Sequence, residues 1–516
     1  MFASVGYLLL SQAFFWDWPG GPNRAAVLNE PGTFKPESSK SAGFGSPPPN
    51  SRGYVAPPTA QDPFSGRTSH HFASKGNMAP LTILIVGCGI AGPTLASFLL
   101  LADIPAAQKP RITILEREST RSAHLRGQNI DIRGVGVTII RKLGLEAQIR
   151  ASTTGEEGVQ LVDERNRVWS QNRVDKNSKI QMPTSDIEIL RGRLAELCWK
   201  NSQRISAEAE REGAKGIEYI FGEYLDEVKQ DDSQVHVRFA KSGESRTFDL
   251  LVGADGMQSG TRKLVWGEEG EKNRLKRIGM YAGFFSIPRE EQDGKWRRWF
   301  HAPGRRGIML RPDSLGVRST IFMYVVNEKD DRFAKVTTKE GGGVEAQKAL
   351  LEEYFTDAGW ECNRIIREMK ATDDFYYDAV SQVKMDSWTK GRVVLLGDAG
   401  AAYKLAGYLQ PYMKGENPDP SAALARYNEQ MRPIIEDGQQ LAPGQPYIIN
   451  PETAWGVWVM RVLIRSLSYT RIIFIVVKFF GKILHLGPQA ADYVPVEDFG
   501  FKDMSAWKEE DSDQSS

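Results

Sequence analysis

Six residues, Gly87-Cys88-Gly89-Ile90-Ala91-Gly92, carry the most legible chemistry in this chain. They follow the apolar run 81–86 and open a second apolar stretch over 93–101. That order predicts a strand, a tight glycine turn and a helix. At this spacing Gly87 permits the turn, Gly89 lets a pyrophosphate approach the backbone, and Gly92 lets helix and strand pack closely. The helix start offers unpaired N–H groups and a positive dipole end to phosphate oxygens. A second apolar strand over 111–115 ends in Glu116, 24 residues beyond Gly92. A carboxylate there accepts hydrogen bonds from an adenosine ribose. The implied ligand contains ADP, and both NAD and FAD satisfy these residues.

At 516 residues the chain exceeds what one core usually holds. Apolar residues make up 41% and charged residues 25%, as in a globular protein, and a formal net charge of +1 gives no sign of a nucleic-acid partner. The cysteines (Cys88, Cys198, Cys362) are odd in number and far apart, which suits a reducing, cytoplasmic setting and no metal site. Residues 1–79 read as a dispensable tail, with Pro, Gly and Ser crowded over 18–67. Its first sixteen residues are apolar without a basic leader, and Met78 is a start point for the working protein.

A first nucleotide-binding part spans 80–275. It contains a helix over 135–143 closed by Gly144, a hairpin over 158–171, a helical pattern over 188–212 and an apolar strand over 248–252. Over 276–388 the texture changes to short β-like runs at 280–287, 307–310 and 319–326, then a helix over 346–355, which reads as an α+β substrate domain. The first domain returns over 389–445 with a strand at 392–396. Residues 446–502 form an amphipathic segment with Arg461, Arg465, Arg471, Lys478 and Lys482 on one side. It packs on the core or touches a membrane surface. An acidic tail occupies 503–516.

Three further motifs decide between the cofactors. Asp255-Gly256 with Ser259 and Arg262 reads DGxxSxxR; Gly397-Asp398 follows the run 391–396; Arg191 opens an R-x-x-L helix, Arg191-Gly192-Arg193-Leu194. Gly127-Gln128-Asn129-Ile130-Asp131 follows the ribose acid. Over residues 80 to about 400 the chain resembles the single-component FAD-dependent aromatic monooxygenases of the p-hydroxybenzoate hydroxylase fold, nearest their tetracycline-inactivating branch. The resemblance implies an α/β fold: a discontinuous Rossmann-like FAD-binding domain, an inserted α+β substrate domain and a C-terminal helical segment. It also implies FAD as cofactor, NADPH as co-substrate, and transfer of one oxygen atom from O2 to a small aromatic or olefinic substrate by hydroxylation or epoxidation. Glu116 would hold the ribose, Arg191 the pyrophosphate or flavin, and Asp398 the ribityl chain. Gly127, Gln128 and Gly397 would be cofactor contacts, and Asp255 would support FAD and the approach of NADPH. No catalytic acid–base residue is assigned. Tyr281, Phe284, Phe285 and Met309 are candidate pocket residues. The ending 494–501 resembles fungal monooxygenases of secondary metabolism, which implies a polyketide-like substrate.

Only one dinucleotide fingerprint is present, which argues against Baeyer–Villiger enzymes. Ile287-Pro288 lacks the tryptophans of flavin halogenases. One departure stands out. The family places a proline- and glycine-containing loop and a helix start after Gly-Asp-Ala, and here Gly397-Asp398-Ala399-Gly400 runs directly into Ala401-Ala402-Tyr403-Lys404. About fifteen residues of that pattern are missing, and with them a positive helix end toward the flavin. An impaired FAD- or nucleotide-binding homologue is therefore a rival reading, as is a FAD-linked reductase.

Overall fold

The computed structural model describes residues 79–119, 129–173, 180–181, 187–313, 316–338, 340–416, 419–441, 444–470, 489–490 and 494–504. Strand β1 (Thr82–Val86) leads through the glycine turn into α1 (Ala91–Leu100) and β2 (Arg111–Glu116). Next come β3 (Asn129–Asp131), α2 (Val135–Lys142), the hairpin β4 (Gly158–Val162) and β5 (Val168–Arg173), then β6 (Glu188–Leu190) and α3 (Arg191–Arg211). Strand β7 (Ile217–Phe221) precedes the meander β8 (Leu225–Gln230), β9 (Val235–Phe239) and β10 (Ser245–Phe248), then β11 (Leu250–Gly253) and α4 (Gly260–Trp266). The insert comprises β12 (Leu275–Pro288), β13 (Arg297–Ala302), β14 (Arg306–Pro312), β15 (Arg318–Val326), α5 (Gly343–Phe355), α6 (Cys362–Ala371) and β16 (Tyr376–Val383). The chain returns through β17 (Thr389–Lys390), β18 (Val393–Leu395), α7 (Ala399–Met413), α8 (Ser421–Gly438) and α9 (Ala454–Thr470).

The first sheet has the order β17-β18-β11-β1-β2-β7, and every pair from β18 to β7 is parallel. Its central strands are continuous β-branched and leucine runs because both faces are covered. The register puts Val86 opposite both Leu115 and Gly253, so β1, β2 and β11 end at one edge. Gly87, Glu116 and Ala254 leave the sheet side by side there. All ten residues of α1 are buried, and the helix packs against α3 and α7.

The second sheet has the order β16-β12-β15-β14-β13-β4-β5. Its two-residue side-chain period divides two cores. Tyr281, Phe285 and Ile287 join Leu351, Phe355 and Ile365 of α5 and α6 on one face. Met280, Trp299, Met309, Phe322 and Tyr324 gather on the other, with Phe284 and Val380 against them. The hairpin β4–β5, placed by its sequence within the first nucleotide-binding part, joins this sheet through the parallel β4–β13 pair.

Several local expectations change. Glu188–Leu190 is a strand rather than a helix start, because it pairs antiparallel with β3. Strands β13 and β16 and helix α6 were not expected; β13 begins with two arginines, Arg297 and Arg298, and its apolar run is only Trp299-Phe300. The basic stripe also divides. Arg461 is buried, donating to Glu164 at 3.0 Å and to the His301 carbonyl at 3.0 Å, and Arg465 lies over the Trp169 ring at 5.9 Å. Arg471, Lys478 and Lys482 lie outside the described residues, as do the tail before residue 79 and most of the acidic tail.

Candidate active site

Each fingerprint glycine meets a different physical demand. Gly87 has φ +112°, and a Cβ there would stand 2.4 Å from the Ala254 carbonyl oxygen. A Cβ on Gly92 would stand 2.1 Å from the Gly87 carbonyl oxygen and 3.2 Å from Ile85 Cγ2. A Cβ on Gly89 would meet no atom within 4 Å, so its side is open to a ligand. The turn is tied at both flanks: the Gly87 N–H donates to the Leu115 carbonyl at 2.7 Å and the Ala254 N–H to the Val86 carbonyl at 2.8 Å. Glu116 is partly buried beside it. Its Oε2 accepts the Cys88 N–H at 2.9 Å and its Oε1 the Glu118 N–H at 3.0 Å.

Asp255 organises the DGxxSxxR segment. Its carboxylate accepts the Ser259 hydroxyl at 2.6 Å and the Thr261 N–H at 2.9 Å, and Ser259 caps α4 by accepting the Arg262 N–H at 2.9 Å. Arg262 is buried, paired with Glu271 and donating to the Met257 carbonyl. Gly256 and Gly397 line one pocket with Met257, Arg262 and Trp388, so the DG and GD motifs face each other. Asp398 is the N-cap of α7, its Oδ1 accepting the Ala401 N–H at 2.7 Å. Burial raises its carboxyl above the usual range, and the Ala401 hydrogen bond opposes that rise. The helix begins at Ala399 directly after the cap, so only Leu396, Gly397 and Asp398 separate β18 from α7.

Arg191 stands at the first turn of α3, partly buried. Burial lowers its guanidinium below the ordinary range, while Tyr376 and Asp378 on β16 oppose that shift. Arg191 thus lies within electrostatic reach of the second sheet. The Tyr376 hydroxyl donates to Asp378 at 2.9 Å. Burial and then the Asp378 charge push the Tyr376 phenol well up, yet 48% of its surface is open. A side chain both ringed by protein and open lies on the wall of a cleft. From Tyr376 an aromatic row continues through Phe284 (centroids 6.0 Å apart), Phe322 (4.9 Å) and Tyr324 (4.9 Å). Tyr324 closes it, accepting the Trp299 indole N–H at 3.0 Å and donating to Asn450 at 3.1 Å.

The four candidate pocket residues divide between the two faces of the sheet. Phe284 and Met309 lie on the face of the aromatic row, but Tyr281 and Phe285 point into the helix-backed core because strand side chains alternate. Phe322 and Tyr324 share the face of Phe284 and Met309, and Tyr376 and Asp378 adjoin it; none of the four was among the sequence candidates. Alternation in Tyr376-Tyr377-Asp378-Ala379-Val380 puts Tyr376, Asp378 and Val380 on one face and Tyr377 and Ala379 on the other.

A buried ionic cluster joins the second sheet to the separate two-stranded pair β3–β6. Arg297 of β13 donates to Glu156 at 3.0 Å and to Glu188, Arg311 of β14 pairs with Glu188, and Arg133 donates to Asp131 at 3.3 Å. Burial pushes the Glu156 carboxyl up to about 8, with its two arginine neighbours opposing. Next to it Asn129 is 2% exposed, and neither its Oδ1 nor its Nδ2 has a partner. Gly127 and Gln128 lie outside the described residues. Among the described residues no His, Cys, Asp or Glu group is arranged to hold a metal, and no helix is long and apolar enough to cross a membrane.

A parallel sheet with a glycine turn, a carboxylate at the end of the next strand and an open approach at the strand ends defines a dinucleotide-binding α/β protein. The family description "FAD binding domain" matches residues 80–403, and the chain belongs to that family of FAD-dependent monooxygenases. It is 33% identical over 421 residues to the FAD-dependent monooxygenase asL6 of Sarocladium schorii, covering 76% of this chain and 93% of that protein. It is 29% identical to the monooxygenase CTB7 of Cercospora beticola, covering 81% of this chain and 98% of that one. Among solved structures, tetracycline destructase Tet(55) superposes with a TM-score of 0.58 at 25% identity, covering 81% of this chain and all of that one.

The residues present fit the nucleotide half of FAD. The open side of Gly89, the carboxylate of Glu116 and the unpartnered amide of Asn129 are groups a bound dinucleotide would meet.

Proposed function

We propose that this FAD-dependent monooxygenase uses NAD(P)H and O2 to hydroxylate or epoxidise a small aromatic or olefinic substrate of secondary metabolism. The observation that carries the reading is the aromatic row Tyr376–Phe284–Phe322, open at the Tyr376 end, with Arg191 within electrostatic reach of that end. When bound, FAD supplies the redox chemistry and oxygen activation that side chains cannot. The chain's own residues hold, orient and exclude water. The N–H groups at the start of α1 receive the pyrophosphate, Glu116 accepts from the ribose hydroxyls, and Arg191 adds a fixed fork of donors. Asp398 receives the ribityl chain, and Asp255 keeps the approach beside Gly256 in shape. A planar substrate stacks on Phe284 and Phe322, and the Tyr376–Asp378 pair hydrogen-bonds its polar rim. Tyr324 is held between Trp299 and Asn450 and walls off the far end.

Support comes from relatives that bear the name monooxygenase over most of the chain. Turnover in labelled O2 tests the reading: one labelled oxygen atom in the product, with consumption of NADPH or NADH, is expected. Product without label would leave a FAD-linked reductase.

One observation favours a second reading. The Asp398 carboxylate already caps α7, and the helix starts at the very next residue, Ala399. Such a chain holds FAD but turns over slowly, because no free positive helix end faces the flavin. Yellow protein with NADPH consumption no faster than free flavin supports it.

A further inference from the structure

We propose that Arg297 is a positioning residue for the cofactor site: from the second sheet it clamps β6 and so fixes Asn129 and Arg191, on the reading above that Arg191 holds FAD. Strands β3 and β6 have three residues each and form a sheet of their own, in the register Asn129↔Leu190, Ile130↔Ile189 and Asp131↔Glu188. So short a ribbon is marginal at best by itself and takes its place from what it packs against. Side chains alternate across it. Ile130 and Ile189 enter the core shared with α1 and α2, which leaves Asn129, Asp131, Glu188 and Leu190 on the other face. There Arg297 of β13 donates to Glu188 and, at 3.0 Å, to Glu156, while Arg311 of β14 pairs with Glu188. The chain before β4 closes over the same point, the Thr154 N–H donating to the Glu188 carbonyl at 2.9 Å. Arg297, Arg311 and Glu188 are all buried.

The chain carries this placement straight to the cofactor groups. Helix α3 begins at Arg191, the residue after β6, and its N-cap Leu190 is extended and makes no side-chain cap hydrogen bond. With neither loop nor cap between them, the seat of Glu188 sets the seat of Arg191 three residues on. Asn129 stands opposite Leu190, buried, with no partner on either side-chain atom, so the same ribbon presents a second group with unused hydrogen-bonding capacity. Stability is a weak reason for two arginines to meet two glutamates here, because buried ion pairs return little beyond their desolvation cost. Fixing a register is the better-attested use of such groups. Arg297 and Arg311 also share strand faces with Trp299 and Met309, each two residues away, so the strands that floor the aromatic face are the strands that hold β6.

The test is a double-mutant cycle on FAD affinity, read by flavin fluorescence as FAD is added to the flavin-stripped full chain. Arg297→Met is combined with Glu188→Gln so that the cluster keeps its charge balance, and the pair is measured with Arg191 present and in the Arg191→Ala background. With Arg191 present, the paired variant is expected to weaken FAD binding about fivefold or more; without it, by less than about twofold. Arg297→Lys keeps a cation on Glu188 and is expected to recover part of the loss. Should the paired variant fail to fold, Arg297→Lys takes its place in the cycle, with a smaller loss expected only where Arg191 is present. The clamp is overturned if the losses are equal in both backgrounds, as a purely structural role requires. It is also overturned if the clamp variants bind like wild type while Arg191→Ala binds weakly. Wild-type affinity in Arg191→Ala itself would instead remove the cofactor role of Arg191, and the clamp with it.

Discussion

The Cys88 N–H donates to the Glu116 carboxylate across 2.9 Å, although 28 residues separate them. The second residue of the glycine turn thus holds the acid that would meet the ribose, and the Glu118 N–H holds its other oxygen at 3.0 Å. The carboxylate is oriented before any ligand arrives, and its remaining lone pairs are left for ribose hydroxyls.

Glu116→Ala should therefore act twice. The Cys88 N–H loses its partner, a destabilisation of about 1 kcal/mol, and the ribose loses its acceptor. Glu116→Gln keeps one acceptor oxygen and should fall between wild type and alanine in FAD content. Equal flavin content in all three proteins would contradict the ribose role.

The glycines should separate folding from binding. Gly92→Ala forces a Cβ to 2.1 Å from the Gly87 carbonyl oxygen, and overpacking of that kind destabilises by about 1–3 kcal/mol. Gly89→Ala meets no protein atom within 4 Å, so its melting temperature should stay near wild type while its flavin content drops. Thermal melts beside the flavin-to-protein absorbance ratio check both. A destabilised Gly89→Ala would contradict the open side assigned to it.

Buried Glu156 gives stability a pH dependence of definite sign. An ordinary glutamate loses its proton near 4.5, while folded Glu156 keeps its proton to about 8. Between those values the folded chain binds the extra proton, so stability falls as pH rises through the window and levels above it. Asp131, raised to about 6 by burial, adds to the fall in the lower part. Glu188 is shifted the other way, so its change lies below the window. Glu156→Gln should flatten the fall in melting temperature between pH 5 and 8, and an unchanged slope would remove Glu156 from the account.

Tyr376→Phe removes the hydroxyl that donates to Asp378 at 2.9 Å and leaves the ring tilted beside Phe284. Because 48% of Tyr376 is open, stability should change by less than about 0.5 kcal/mol. Substrate-stimulated NADPH oxidation should need several-fold more substrate, with flavin content unchanged. Loss of flavin instead would place Tyr376 at the cofactor.

The nucleotide-binding half was legible because its demands are local. A buried β-branched run, a glycine at φ +112° and an acid at the next strand end all leave marks in sequence. The second sheet was less legible because long-range pairs made it. Arg297 and Arg298 look like surface residues until Glu156, Glu188 and Asp293 meet them. Glu188–Leu190 continues a helical pattern, yet pairing with β3 holds it extended. Tyr281 and Phe285 matched a pocket in composition, and only the direction of the pleat sends them to the opposite core. At the other extreme, the direct passage from Asp398 into α7 was visible as a gap in pattern before the cap geometry was seen.

The central claim is that Glu116, Arg191 and Asp398, from three distant segments, hold one FAD molecule. Titrating flavin-stripped protein with FAD, read by flavin fluorescence, tests it most directly. Glu116→Ala, Arg191→Ala and the cap-preserving Asp398→Asn are each expected to weaken binding about tenfold or more, roughly 1.4 kcal/mol apiece. Wild-type affinity in all three variants, or no FAD binding by the unaltered chain, would contradict the account.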